Sequence, residues 1–184
     1  FANELSLIAD KAGIDVWELI ELANKHPRVN ILQPGCGVGG HCIAVDPYFL
    51  TSDFPDETLL ISTSRNVNIH KSKWVVEKIN SRIKEFEKEQ NRLAVIGILG
   101  LAFKANIDDL RESPALEIAK NILHRCNKNE IYFVEPNISN HSDLEISGLI
   151  SATENCDLIF VLVAHKEFIS IETAFKGEVI RFVK

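Results

Sequence analysis

The sequence predicts an α/β protein in two parts, a helical region over residues 1–90 and a doubly wound domain with a parallel sheet over residues 91–184. Three observations point there. Up to Gln90 the apolar residues recur mostly at helical spacing, interrupted by one glycine-rich stretch. At "EFEKEQNRLAVIGILG" a charged helix end gives way to a compact apolar run, which places the boundary near Asn91. Beyond it, short apolar segments alternate with helical ones, the pattern of βαβ units.

The opening "FANELSLIADKAGID" puts Leu5, Ile8, Ala9 and Ala12 on one helical face with no capping residue before them, so it reads as the later part of a longer helix. Gly13 supplies the stop, because glycine enters the left-handed conformation without strain. Asp15 and Glu18 resemble a capping box for a second helix that ends before Pro27. Asp46 and Pro47 read as the N-cap and first position of a third. Residues 57–90 hold neither glycine nor proline and fit one or two long helices. Strands are expected over 92–97, 130–134, 157–163 and near 178–183, with Ser113 and Pro114 opening a helix that runs through Arg125. The segment over 157–163 is too continuously apolar for an edge and suits a parallel sheet covered on both faces. Such a domain binds its ligand beyond the carboxyl ends of its strands.

Composition narrows the function. At 184 residues and 46% hydrophobic, the chain can bury a sizeable core. Its net charge of −6 comes from interspersed acids and bases, with no basic cluster for nucleic acid. No apolar run reaches the ~20 residues that span a bilayer and no signal peptide opens the chain, so the cytoplasm is the expected location and a membrane is not an expected partner. Four cysteines without a CxxC pair or zinc spacing argue against both disulfides and a metal site.

The stretch "GCGVGGHCIAVDP", residues 35–47, concentrates the chemistry. Gly35, Gly37 and Gly40 match a dinucleotide-binding fingerprint by letter, but that motif needs a strand before it and a helix at its third glycine, and here helices surround it. A second reading is a plain turn that uses glycine for its backbone freedom. The third is catalytic. Cys42 precedes Asp46 by four residues, so a thiol could have a carboxylate one helical turn away to hold a water or accept a proton. Cys36 shares the loop but has no acid at a matching offset, and Cys126 and Cys156 read as fillers.

"NKHPRVNILQPGCGVGGHCIAVDPYFL" and "GLAFKANIDDLRESPALEIA" together closely resemble the UDP-glucose/GDP-mannose dehydrogenase family over nearly the whole chain. The resemblance implies a central helical dimerisation region followed by a C-terminal, Rossmann-like UDP-sugar-binding domain, with NAD held mainly by an N-terminal domain outside this chain. It implies a four-electron oxidation at C6 of the sugar, through a thiohemiacetal and a thioester on Cys42, with Asp46 assisting hydrolysis. Gly35, Gly37, Gly39 and Gly40 would let backbone amides approach the substrate. Lys104 and Phe103 match substrate contacts, His41 a substrate-side contact, and Arg28 an arginine that reaches the neighbouring subunit's site. Arg111 matches an arginine directed at NAD. The expected partners are a UDP-sugar, with UDP-N-acetyl-D-mannosamine favoured over its glucosamine epimer and UDP-glucose, and a second copy of the chain.

Departures from the family pattern matter too. The family's catalytic lysine and its asparagine partner lie upstream of "NEL", so the chain alone is expected not to turn over, and the absence of methionine fits a fragment. Cys36 stands where relatives usually have proline, and Arg181 where an aspartate is usual. Two other classes remain open: a nucleotide-sugar-binding module without catalysis, and a cysteine hydrolase. The latter needs a histidine base beside Cys42, and His41, adjacent in sequence, points elsewhere on an extended loop.

Overall fold

A computed structural model describes residues 1–184. Helix α1 (Ala2–Ala12) ends at Gly13, whose φ of 69° is the left-handed conformation expected of it. The Asp15 carboxylate accepts the N–H groups of Trp17 and Glu18 at 2.7 and 3.2 Å and starts α2 (Val16–Asn24). A long loop then leads to α3 (Asp46–Asp53). The glycine-free stretch forms one helix, α4 (Leu59–Gln90), of 32 residues. At about 1.5 Å per residue it is roughly 48 Å long. Asn91 closes it in the left-handed region at φ 50°.

Four parallel strands follow, β1 (Ile96–Leu99), β2 (Ile131–Val134), β3 (Leu158–Val161) and β4 (Glu178–Arg181), in the spatial order β2-β1-β3-β4. The apolar segment over 157–163 is interior to the sheet, as its composition requires. The first strand starts four residues later than the spacing suggested. Arg92 instead pairs with Asp157 through two hydrogen bonds of 2.6 and 2.7 Å, and Leu93 is half exposed, so the chain joins the sheet only where Ile96 meets Ile131 and Leu158. Helices α5 (Pro114–Arg125), α6 (Leu149–Asn155) and α7 (Ile171–Ala174) make the connections. The last two are too short to leave a helical period in the sequence.

Side chains alternate between the two faces of the sheet. Ile96, Ile98, Leu158 and Phe160 point to one face, where they pack with Ala115, Ile118 and Ile122 of α5 and with Val75, Ile79 and Ile83 of α4. Leu99, Ile159 and Val161 point to the other, against Ala152 of α6 and Ile171 of α7. The arrangement is doubly wound. The second half of α4 therefore belongs to the core of the sheet domain, while its first half carries α1 and α3, and the packing is continuous across Asn91.

Ser113 joins the sheet to α5. Its hydroxyl, 2% exposed, donates to Leu101 O at 2.6 Å and accepts the Leu116 N–H at 3.3 Å. Pro114, at the first helical position, needs no donor there. Ser113→Ala removes the cap and leaves a buried carbonyl unpaired, and it should cost about 1–2 kcal/mol in urea-denaturation stability. An unchanged midpoint would show that the cap contributes nothing.

Candidate active site

The loop from Asn30 to Val45 has no regular structure of its own and is held from several parts of the chain, beginning with Asn24 of α2, whose side chain bonds both the N–H and the carbonyl of Ile31. The Gly35 N–H donates to Asn3 Oδ1 in α1 at 2.8 Å, and Asn3 in turn donates to Asn68 of α4 at 2.7 Å. The Ser72 hydroxyl of α4 donates to Cys36 O at 2.7 Å. The Cys36 thiol lies 3.4 Å from Leu162 O, just after β3. The Gly40 N–H donates to Arg111 O at 3.1 Å, on the segment after β1. The loop is thereby laid across the carboxyl edge of the sheet.

The glycines follow from how closely these segments approach. A Cβ on Gly39 would sit 2.5 Å from Glu112 O and 2.7 Å from Pro114 Cδ. One on Gly40 would meet the Phe103 ring at 3.0 Å, and its φ of 91° already excludes most side chains. Two amides expected to be available to a ligand, those of Gly35 and Gly40, are committed within the protein. No strand precedes these glycines and no helix starts at Gly40, so the loop offers no dinucleotide cradle despite its letters.

Past Gly40 the chain turns helical. The N–H groups of Val45 and Asp46 both donate to Cys42 O, at 2.9 and 2.8 Å, so Cys42 and Asp46 stand one turn apart. Asp46 is the first residue of α3, whose N-cap is Val45; it is not the cap that the Asp-Pro pair suggested. Its carboxylate makes no capping bond and is exposed. Cys42 is exposed, whereas Cys36 and Cys126 are buried and Cys156 is half-buried; all four are free thiols. Burial pushes the Cys36 thiol up to about 12, with the nearby Lys71 ammonium opposing it only in part, and burial does the same to Cys156.

A cleft of about 220 Å³ opens beneath the loop at the carboxyl ends of β1, β3 and β4, lined by Gly35, Gly37, Phe103, Lys104, Val163 and Lys184 among others. It lies where the connections of β1 and β3 depart to opposite sides, the switch point that the fold reserves for ligands. Lys104 is exposed and free of any ion pair, while Phe103 is half-buried under Gly40 and donates its N–H to Asp109 O at 3.1 Å. The Arg111 guanidinium is well exposed and grips Asp109 through both oxygens, at 2.6–3.0 Å. That grip holds the Asp109 carboxyl down to about 2. His41 is exposed and adds its charge weakly to the same aspartate. Arg28 lies apart from this cleft, on the exposed turn after α2. Arg181 is bound to Glu172 of α7 and to Phe168 O, and so is already committed inside the domain. No group of three or more His, Cys, Asp or Glu side chains is placed to hold a metal, and no helix is long and apolar enough to cross a membrane.

Comparison with known proteins agrees with the layout. Residues 1–70 match the UDP-glucose/GDP-mannose dehydrogenase family, central domain, and residues 97–181 match the same family's UDP binding domain. The chain is 51% identical over 180 residues to the UDP-N-acetyl-D-mannosamine dehydrogenase of Campylobacter jejuni, covering 94% of this chain and 43% of that protein. It is 48% identical over 178 residues to the Escherichia coli K12 protein of the same name, covering 91% and 42%. A solved UDP-N-acetyl-mannosamine dehydrogenase from S. aureus superposes with a TM-score of 0.82 at 35% identity, covering 98% of this chain and 43% of that one. The chain thus spans about two fifths of the length of the curated relatives it matches.

The contrast between the thiols is directly measurable. Brief treatment with iodoacetamide at pH 8, read by peptide mass spectrometry, should alkylate Cys42 and leave Cys36 and Cys156 unmodified, because a thiol held near 12 supplies almost no thiolate at that pH. Comparable labelling of Cys36 and Cys42 would refute the burial argument.

Proposed function

The chain belongs to the UDP-glucose/GDP-mannose dehydrogenase family, and from that premise we propose that its cleft takes UDP-N-acetyl-D-mannosamine and that Cys42 carries the covalent part of its oxidation to the uronate. The observation behind this reading is an exposed thiol one helical turn from an uncommitted carboxylate, on the loop whose earlier residues, Pro34 to Gly37, line the switch-point cleft. Taking the C6 alcohol to a carboxylate removes four electrons in two steps. An aldehyde gives up a second hydride readily only after a nucleophile has added to it. The Cys42 thiolate forms a C–S bond to the aldehyde carbon and the carbonyl oxygen takes a proton, giving a thiohemiacetal. Loss of the C6 hydrogen as hydride and of the hydroxyl proton leaves a thioester. Water then attacks, Asp46 holds that water or receives its proton, and the C–S bond breaks to return the thiol and release the acid.

NAD, when bound, accepts the hydride in both oxidations. This chain contributes Arg111 to it, since the guanidinium is exposed with Nη1 free, while the glycine loop has no fold for a dinucleotide. Lys104, with no carboxylate partner, supplies a cation for the sugar nucleotide's diphosphate. Phe103 packs against Gly39 and Gly40 and so supports the glycine loop, Gly35 and Gly37 line the cleft, and we assign His41, exposed on the same loop, to the substrate side. The chemistry requires Cys42 reduced, which suits the cytoplasm.

The helical region supports a homodimer. Helix α3 contains no buried residue, yet Tyr48, Phe49 and Leu50 within it are exposed, as are Phe54, Leu59 and Leu60 just after it. A helix this apolar gains little from water on its outer face, and a second copy of the chain would cover it. We assign Arg28, which lies exposed outside its own cleft, to the partner's.

Two measurements test these readings. In the full-length enzyme that carries this chain, Cys42→Ser should retain UDP-N-acetyl-D-mannosamine binding and lose uronate formation by about three orders of magnitude or more, with Cys36→Ala remaining active. Equal uronate production by both variants would end the covalent assignment. Sedimentation equilibrium at micromolar concentration should return a dimer that Leu60→Glu converts to monomer; a monomeric parent chain would remove the dimer.

A further inference from the structure

Beneath the cleft, the segments that leave β1, β2 and β3 meet on two side chains that no step of this chemistry uses. Glu135 follows β2 and is 2% exposed, and His165 lies just beyond β3 and is fully buried. Glu135 Oε2 accepts the backbone N–H groups of Leu101 and Ala102 at 2.8 and 3.0 Å. Its Oε1 accepts the backbone N–H and the side-chain amide of Asn137 at 3.2 and 3.1 Å. His165 Nδ1 accepts the Asn106 N–H at 2.9 Å, which assigns the ring proton to Nε2. Nε2 lies 3.0 Å from Glu135 Oε2, an ion-pair distance, and has no hydrogen-bond partner elsewhere. Asn106, at φ 63°, closes the ring by accepting the Lys166 N–H at 2.9 Å.

These bonds bracket Lys104. The two amides before Phe103 are fixed by Glu135 and the amide two residues after Lys104 is fixed by His165, so the exposed lysine stands on a short segment clamped at both ends. We infer that Glu135 and His165 are positioning residues that aim Lys104 at the diphosphate of the bound nucleotide sugar, an inference that rests on the reading of the cleft given above. Burial disfavours the charged form of Glu135, yet its amide donors and the imidazole outweigh that and hold its carboxyl below the ordinary range. It therefore stays ionised and accepting at neutral pH. An apolar pair would fill the same space without the desolvation cost, but it could not hold three amides in place around a lysine. A lysine has four rotatable bonds, so its reach is defined only as well as its backbone.

A double-mutant cycle on the full-length enzyme separates positioning from simple core filling. Lys104→Ala should weaken UDP binding, measured calorimetrically, on the order of tenfold, as expected for loss of a charge-assisted contact. His165→Leu should weaken it by a similar factor and raise KM for the sugar nucleotide while leaving kcat within about twofold. The double variant should bind no more weakly than Lys104→Ala alone. Multiplicative losses in the double variant, or unaltered affinity in a folded His165→Leu protein, would overturn the inference while leaving the cleft assignment intact. Absence of UDP binding by the parent enzyme would overturn both. If His165→Leu melts below the assay temperature, Asn106→Gly loosens the same end of the clamp at a position that already has positive φ, and the same cycle with Lys104→Ala decides.

Discussion

A parallel sheet has to be covered on both faces, and here one of those covers is borrowed. Helix α4 lays Val75, Ile79 and Ile83 against the sheet beside α5, and it uses the rest of its length to carry α1 and α3. Everything at the candidate site depends on that sharing. Ser72 fixes Cys36, Asn68 fixes Asn3, and Asn3 fixes Gly35, so a helix embedded in one core dictates where the loop of another region lies. The cysteine reaches the carboxyl edge of the sheet because both are referred to a common element. Local propensity decides little of this, since most helix stability comes from burial of a face.

Much of this architecture was legible because its causes are local. Gly13, Asp15, Ser113 and Pro114 act within a turn of themselves, and the helices they bound lie where the sequence places them. The interior strand could be read from its composition, and the spacing of Cys42 from Asp46 already contained the helical turn between them. What escaped depends on distant partners. The start of β1 is set by register with two other strands, which no window around Arg92 contains. Asp46 looked like a cap because Asp-Pro commonly is one, but the hydrogen bonds from Val45 and Asp46 to Cys42 begin the helical turn earlier. Glu135 and His165 lie 30 positions apart and meet only through the topology; the one available clue was that Glu135 directly follows one apolar strand and His165 comes soon after another.

The glycine loop shows how one composition serves different physics. Its letters match a phosphate cradle, yet the space that the missing Cβ atoms leave is filled by Glu112, Pro114 and Phe103 of the same chain. The demand for glycine comes from two segments packed backbone to backbone, and the ligand space opens beside them. The two cysteines of the loop divide in the same way. Cys36 faces inward among carbonyls and apolar groups and is kept protonated, and Cys42, six residues on, faces water.

The place where α4 grips that loop has a mechanical consequence. Ser72 sits near the middle of the helix, with its far end packed on the sheet and its near end carrying α3. A rod held near its centre behaves as a lever about a fulcrum. A tilt of about 5° around Ser72 would swing either end by roughly 2 Å, using the ordinary rise per residue, while scarcely displacing the glycine loop at the pivot. Flexing of the long helix would thus be felt first at its extremities; the Cys36 part of the glycine loop would ride near the stillest point, whereas Cys42, one turn from α3, would follow the moving near end.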